Sequence, residues 1–125
     1  MKYLLGTTLR NRMLKLPYVD DWQPFDSEQQ LLERLLSADL TINAMAIDEA
    51  GRLFDPCNGE QDIDQGFLRH TGRQFADEPK NILAVALQAA ELGCWGFRLA
   101  HGTHALMKRM VASGELDHLV PERAP

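Results

Sequence analysis

DLTINAMAIDEAGRLFD, residues 39–55, changes its structural period part-way along. From Leu40 to Met45 the residues suit a short helical turn. From Met45 to Asp55, Ile47, Leu53 and Phe54 are strand residues on either side of a Glu49-Ala50-Gly51 turn, the pattern of a β-hairpin. Upstream, Ser27 and Gln30 have capping-box spacing, and Leu31, Leu32, Leu35 and Leu36 form an apolar stripe. Together they predict a helix from about Ser27 to Ala38. Residues 18–26, YVDDWQPFD, read as a connector or a short strand broken by Pro24, and residues 7–15 as a short helix ended by Pro17.

Downstream, CNGEQDIDQG reads as a polar loop and FLRH as a short strand. A helix begins at Asp77 or Glu78, with Pro79 in its first turn and Gly93 as its stop. Ile82, Leu83, Val85, Ala86, Ala89, Ala90 and Leu92 supply its broad apolar face. The last helix runs from Thr103, its expected cap, to Ser113, with Gly114 as its stop and Leu106, Met107, Met110 and Val111 facing inward. Four helices and little strand predict a helix-dominated α+β fold.

The chain has 125 residues, one ordinary domain's length, with 45% hydrophobic and 25% charged residues. That composition is globular rather than disordered. No apolar run reaches the roughly 18 residues of a membrane span, and Gly6, Thr7, Thr8, Arg10 and Asn11 interrupt the N-terminal apolar run, which argues against a signal peptide. Cys57 and Cys94 have no metal-like spacing, so a reduced, cytoplasmic setting is expected. The net charge is −5, whereas a free-standing nucleic-acid binder carries a basic face. Arg10, Arg12 and Lys15, and Lys108 with Arg109, read as solvated helix faces.

Three places could carry chemistry. LLGTTLRN, residues 4–11, is a strand–Gly–helix junction of the kind that presents backbone N–H groups to phosphates. Asp20-Asp21 is a candidate metal pair. SADLTINAMAID with the following GRLFDPCNGEQDID is the third. His101 and His104 lack a matching third ligand, and His70 and His118 are isolated.

DLTINAMAID, the G-x-L-x-D-P-x-N-G run, FLRH, FADEP, GFRLA-x-x-T-x-ALM and ASGELDHLVPER occur in this order. The ordered set resembles the class II CCA-adding tRNA nucleotidyltransferases, the family that includes bacterial poly(A) polymerases. The resemblance implies a shortened nucleotidyltransferase head, residues 1–72, and a helical neck-like segment, residues 73–125. It implies a head that holds Mg2+ and triphosphate, a neck helix that reads the incoming base, and ATP or CTP and the 3′ end of tRNA as partners. By position, Gly6, Thr7 and Arg10 correspond to the triphosphate site and Asp20 and Asp21 to the catalytic metal carboxylates. Asp39, Asn43, Asp77, Glu78 and Asn81 fall on further nucleotide-binding positions.

The departures cluster at those positions. Thr7 replaces the second glycine of a pair, adding a Cβ where the backbone should close on phosphate. Asn11 replaces an Asp. The family's Asp-x-Asp points both carboxylates to one strand face, whereas Asp20 and Asp21 are adjacent and would face opposite ways. Ser37-Ala38 stand where two arginines precede the Asp. The acidic pair of the neck is reversed as Asp77-Glu78, and Asn81, Ala84 and Leu87 occupy arginine positions, losing planar, bidentate donors. The family also carries several dozen more residues between Trp22 and Ser27.

Packing positions such as Leu31, Leu35, Ile42, Met45, Ile82 and Met110 stay apolar. The pattern favours a pseudoenzyme that keeps a nucleotide- or RNA-end-binding or interaction role. The alternatives are an active or residually active, Mg2+-dependent nucleotidyltransferase acting on an RNA 3′ end, and a truncated relic that folds as an oligomer. The missing head surface predicts a homo-oligomer.

Overall fold

The computed structural model describes residues 2–5 and 22–114. Expectations for residues 6–21, including the 7–15 helix and candidates Gly6, Thr7, Arg10, Asp20 and Asp21, lie outside the described residues.

Four short strands form one antiparallel sheet: β1 (Lys2–Leu5), β2 (Trp22–Pro24), β3 (Ala46–Asp48) and β4 (Leu53–Phe54), in the order β2-β1-β3-β4. Tyr3 pairs with Gln23 on one side and with Asp48 on the other. Pro24 suits its outer strand, since it cannot donate to a ladder. The β3–β4 hairpin is closed by Gly51 at φ +84° and by Asp48, whose carboxylate accepts the Ala50 and Arg52 N–H groups and pairs with the Arg52 guanidinium at 2.8 Å. Hydrogen bonding by the Arg52 backbone, then its side chain and charge, holds the Asp48 carboxyl below its ordinary range, against the opposing effect of burial.

Helix α1 (Glu28–Leu36) has the expected start. Ser27 Oγ accepts the Gln30 N–H at 3.2 Å, and Gln30 returns a side-chain acceptor to the N–H of Asp26, one residue before the cap. Only half of its leucine stripe faces in: Leu31 and Leu35 are buried, Leu32 and Leu36 exposed. Leu31 and Leu35 join Tyr3 and Ala46 in a small core, with Phe25 and Phe54 edge-on to the Tyr3 ring.

The polar stretch at 57–66 is not a loop throughout. Residues Gly59–Gln65 form helix α2. Its single apolar residue, Ile63, left no periodic signal. Its start is fixed from outside, by Asp55, whose carboxylate accepts the Gly59 and Glu60 N–H groups at 2.7 and 3.0 Å. Gly66, at φ +75°, ends it.

Strand β5 (Phe67–Leu68) pairs in parallel with β6 (Arg98–Leu99). Helix α3 (Lys80–Leu92) keeps the predicted stop, with Gly93 at its C-cap, but its apolar surface is split. Ile82, Val85, Gln88 and Leu92 are buried, whereas Leu83, Ala86 and Ala90 are exposed. Helix α4 (His101–Ala112) starts two residues before the expected cap. Thr103 sits in its first turn, fully buried, with its hydroxyl turned to His70 rather than to the helix end. Val111 is exposed, while Met110 is buried.

The main core gathers Leu40, Ile42 and Leu68 with Phe75, Val85, Leu92, Phe97 and Met110, so residues on both sides of position 72 pack together. The architecture is helix-rich α+β, with one small antiparallel sheet and one two-stranded parallel pair.

Candidate functional site

The DLTINA segment is anchored on both flanks. The Thr41 N–H donates to Arg69 O at 2.8 Å, the Thr71 N–H to Asp39 O at 3.2 Å, and Leu40 bridges His70. A 3₁₀ turn spans Thr41–Asn43, and Leu40, Ile42, Ala44 and Met45 are buried. Beneath it, Thr41 Oγ1 donates to Asp62 of α2 at 2.6 Å, and Asp62 also pairs with Arg69 at 3.2 Å. Asp62 is thereby a partnered buried carboxylate, the only arrangement in which burying its charge is tolerable.

This frame brings three side chains together. Asp39 Oδ1 accepts the Leu40 N–H at 2.7 Å and Asn43 Nδ2 at 3.0 Å, and its Oδ2 accepts Gln88 Nε2 at 2.8 Å. Asn43 Nδ2 also donates to Gln88 Oε1 at 2.5 Å, and Gln88 Nε2 to Ala84 O at 3.2 Å. The ring Asp39–Asn43–Gln88 therefore ties the segment after α1 to the middle of α3. Two acceptors at Asn43 Nδ2 settle which way that amide points. Its other end, Oδ1, is buried and has no hydrogen-bond partner among the described residues. A buried acceptor left unmade costs about 1–3 kcal/mol, so Asn43 Oδ1 is a local cost that the ring carries among the described residues.

Of the sequence candidates, Asp39 and Asn43 thus converge. Asp77 and Glu78 end the 3₁₀ turn Arg73–Asp77 as exposed side chains. Asn81 donates Nδ2 to Phe75 O at 3.0 Å, holding that turn against α3. No hydrogen bond among the described residues joins Asp77, Glu78 or Asn81 to Asp39. Gln88 is the member that sequence reasoning passed over. Its signal was the lone polar residue at i+3 from Val85 and i−4 from Leu92, on the side of α3 that is buried.

No group of three or more His, Cys, Asp or Glu side chains among the described residues could hold a metal ion. The described residues do not fit a Mg2+ site, and the pair read as its ligands, Asp20-Asp21, lies outside them. No described helix is long and apolar enough to cross a membrane.

The small antiparallel sheet leading into helices is the fold that this chain shares with solved CCA-adding enzymes, a nucleotidyltransferase-type fold. The chain belongs to the CCA-adding and poly(A) polymerase family: residues 3–69 match the poly A polymerase head domain. It is 58% identical over 93 residues to the multifunctional CCA protein of Thioalkalivibrio sulfidiphilus, covering 74% of this chain and 23% of that protein. It is 51% identical over 94 residues to the CCA-adding enzyme of Pseudomonas putida, covering 75% of this chain and 26% of that one. Among solved structures, a CCA-adding enzyme in complex with CTP superimposes with a TM-score of 0.65 at 30% identity, over 74% of this chain and 22% of that one. A tRNA-processing enzyme in an apo form shares the fold, with a TM-score of 0.76 over 99% of this chain and 47% of that one, at 24% identity. The chain therefore spans about a quarter of the length of the curated relatives it matches.

Proposed function

We propose that this chain is a pseudoenzyme of the CCA-adding type, retaining a nucleotide- or RNA-end-binding or interaction role without transferring nucleotides. The observation that carries the reading is the Asp39–Asn43–Gln88 ring. Both oxygens of Asp39 are engaged by donors of the chain itself, and Asn43 Oδ1 is buried without a partner among the described residues. On α3, the arginine positions of the resemblance hold Asn81, spent on Phe75 O, and Ala84 and Leu87, which offer no donor. Losing each charge-assisted contact removes roughly 1.5–3 kcal/mol. Contact with CTP, ATP and tRNA, as in the complexes of related enzymes, is then weak or confined to an RNA end. A homo-oligomeric state and the 1–72 and 73–125 division into head and neck parts belong to the same reading.

A second reading, active Mg2+-dependent extension of an RNA 3′ end using Asp20 and Asp21, is favoured by the 58% identity to a CCA protein. One assay separates the two: purified protein with Mg2+, labelled CTP or ATP, and tRNA lacking its 3′ end. Extension that disappears in Asp21→Ala overturns the pseudoenzyme. No extension, with calorimetric binding of nucleotide that weakens in Asn43→Ala, supports it.

A further inference from the structure

Helix α3 has a second face that the ring does not use. Leu83 and Leu87 are 47% and 62% exposed, and Ala86 and Ala90 beside them are exposed as well. These residues stand at i, i+4, i+3 and i+7, so they form one continuous stripe on the helix. The stripe itself carries no charge. Lys80 lies on the same side one turn before it, and Glu91 one residue after its end.

We propose that this face docks a second copy of the same chain, the two α3 helices packing antiparallel about a two-fold axis. The inference rests on the interaction role of the preceding reading and names its surface. A two-fold interface must be self-complementary. With the axis level with position 85, Leu83 of each copy meets the partner's Leu87, and the small Ala86 and Ala90 let the backbones approach. The same operation carries Lys80 of each copy toward the partner's Glu91, so opposite charges meet at both ends. A parallel arrangement would set like against like. Glu91 also has a contact within its own chain, so the cross-helix pair acts at the rim, biasing orientation. A polyanion such as RNA does not suit this stripe, which offers no cation between Lys80 and Glu91.

Helix α3 has 13 residues, about 20 Å of contact at 1.5 Å per residue. That is at or below the small end of specific interfaces, so dissociation on the order of 10 µM is expected. Sedimentation velocity on the whole chain from about 1 to 200 µM reads this without nucleotide. The expected result is a monomer–dimer equilibrium that Leu87→Arg weakens at least tenfold, with the melting temperature unchanged because the side chain is exposed. Lys80→Glu should weaken association and the double variant Lys80→Glu/Glu91→Lys restore it. A wild type that stays monomeric throughout the range overturns the proposal. So does a dimer indifferent to Leu87→Arg, or one that the charge exchange does not restore. Dimerisation without nucleotide binding leaves this surface standing while removing the nucleotide-binding reading, and the reverse result does the opposite.

Discussion

Gly59→Ala tests how the DLTINA turn is held. Gly59 is buried at the start of α2, against the 3₁₀ turn that carries Asn43. A Cβ there would lie 2.1 Å from Thr41 O and 2.8 Å from its carbonyl carbon, with Met45 Sδ at 3.1 Å. Real Cβ atoms essentially never come closer than 3.0 Å, so the first contact must open from 2.1 Å by most of an ångström. Neither side yields cheaply. The helix start is pinned by Asp55, and the turn by Thr41's bonds to Arg69 O and Asp62. Overpacking typically costs about 1–3 kcal/mol, and an encounter between two backbones belongs at the top of that range. At roughly 3–6 °C per kcal/mol for a chain of this size, the melting temperature followed by circular dichroism should fall by about 10–15 °C. Gly51→Ala is the control. Its φ of +84° strains any side chain, yet nothing lies within 4 Å, so it should cost only about 1 kcal/mol. A Gly59→Ala protein melting within about 3 °C of wild type would refute the close-approach argument, and with it the view that α2 positions Asn43.

Three further outcomes follow from the ring and the buried polar contacts. Gln88→Leu removes the donor to Asp39 Oδ2 and an acceptor for Asn43, and should cost about 2 kcal/mol in urea unfolding. Gln88→Glu places a second carboxylate against Asp39, so its stability should be lowest near neutral pH and recover on acidification, the reverse of a simple loss of contact. His70 is held below its ordinary value of 6.5, by burial first and the Arg69 charge second. Thr103 Oγ1 accepts the His70 backbone N–H at 2.9 Å and lies 2.6 Å from His70 Nδ1, which holds the ring against α4. A depressed histidine pKa means the unfolded chain binds the proton first. Its contribution is therefore complete above pH 6.5 and is lost as pH falls from there through the folded value. Melting curves between pH 7.5 and 5 should show this decline in wild type and lack it in His70→Asn.

How legible was this in the sequence? Helix α1 was readable because its cap is written locally, Ser27 with Gln30, and because Leu31 and Leu35 repeat at helical spacing. The β3–β4 hairpin was readable because Gly51 sits where the turn needs a positive φ. Asp39 and Asn43 were singled out through their place in the DLTINA run, and the structure joins them by a hydrogen bond. Helix α2 was not, because the carboxylate that caps it, Asp55, belongs to the preceding segment and its one apolar residue, Ile63, sets no period. Thr103 read as a cap because a hydroxyl at a helix start usually is one. Only tertiary packing shows that it faces His70, 33 residues away.

The sequence by itself determined the α+β class, the family and the positions of most elements, since caps, turn glycines and apolar spacing act within a few residues. The tertiary structure decided which half of each apolar stripe is buried, because that depends on what packs across from it. Leu35 is covered while Leu36 is not, and Val85 is covered while Leu83 and Leu87 lie open. It also decided that Gln88, 49 residues along the chain from Asp39, completes the ring. A hydrogen bond needs two groups within about 3 Å, and no local rule says which distant residue will arrive there.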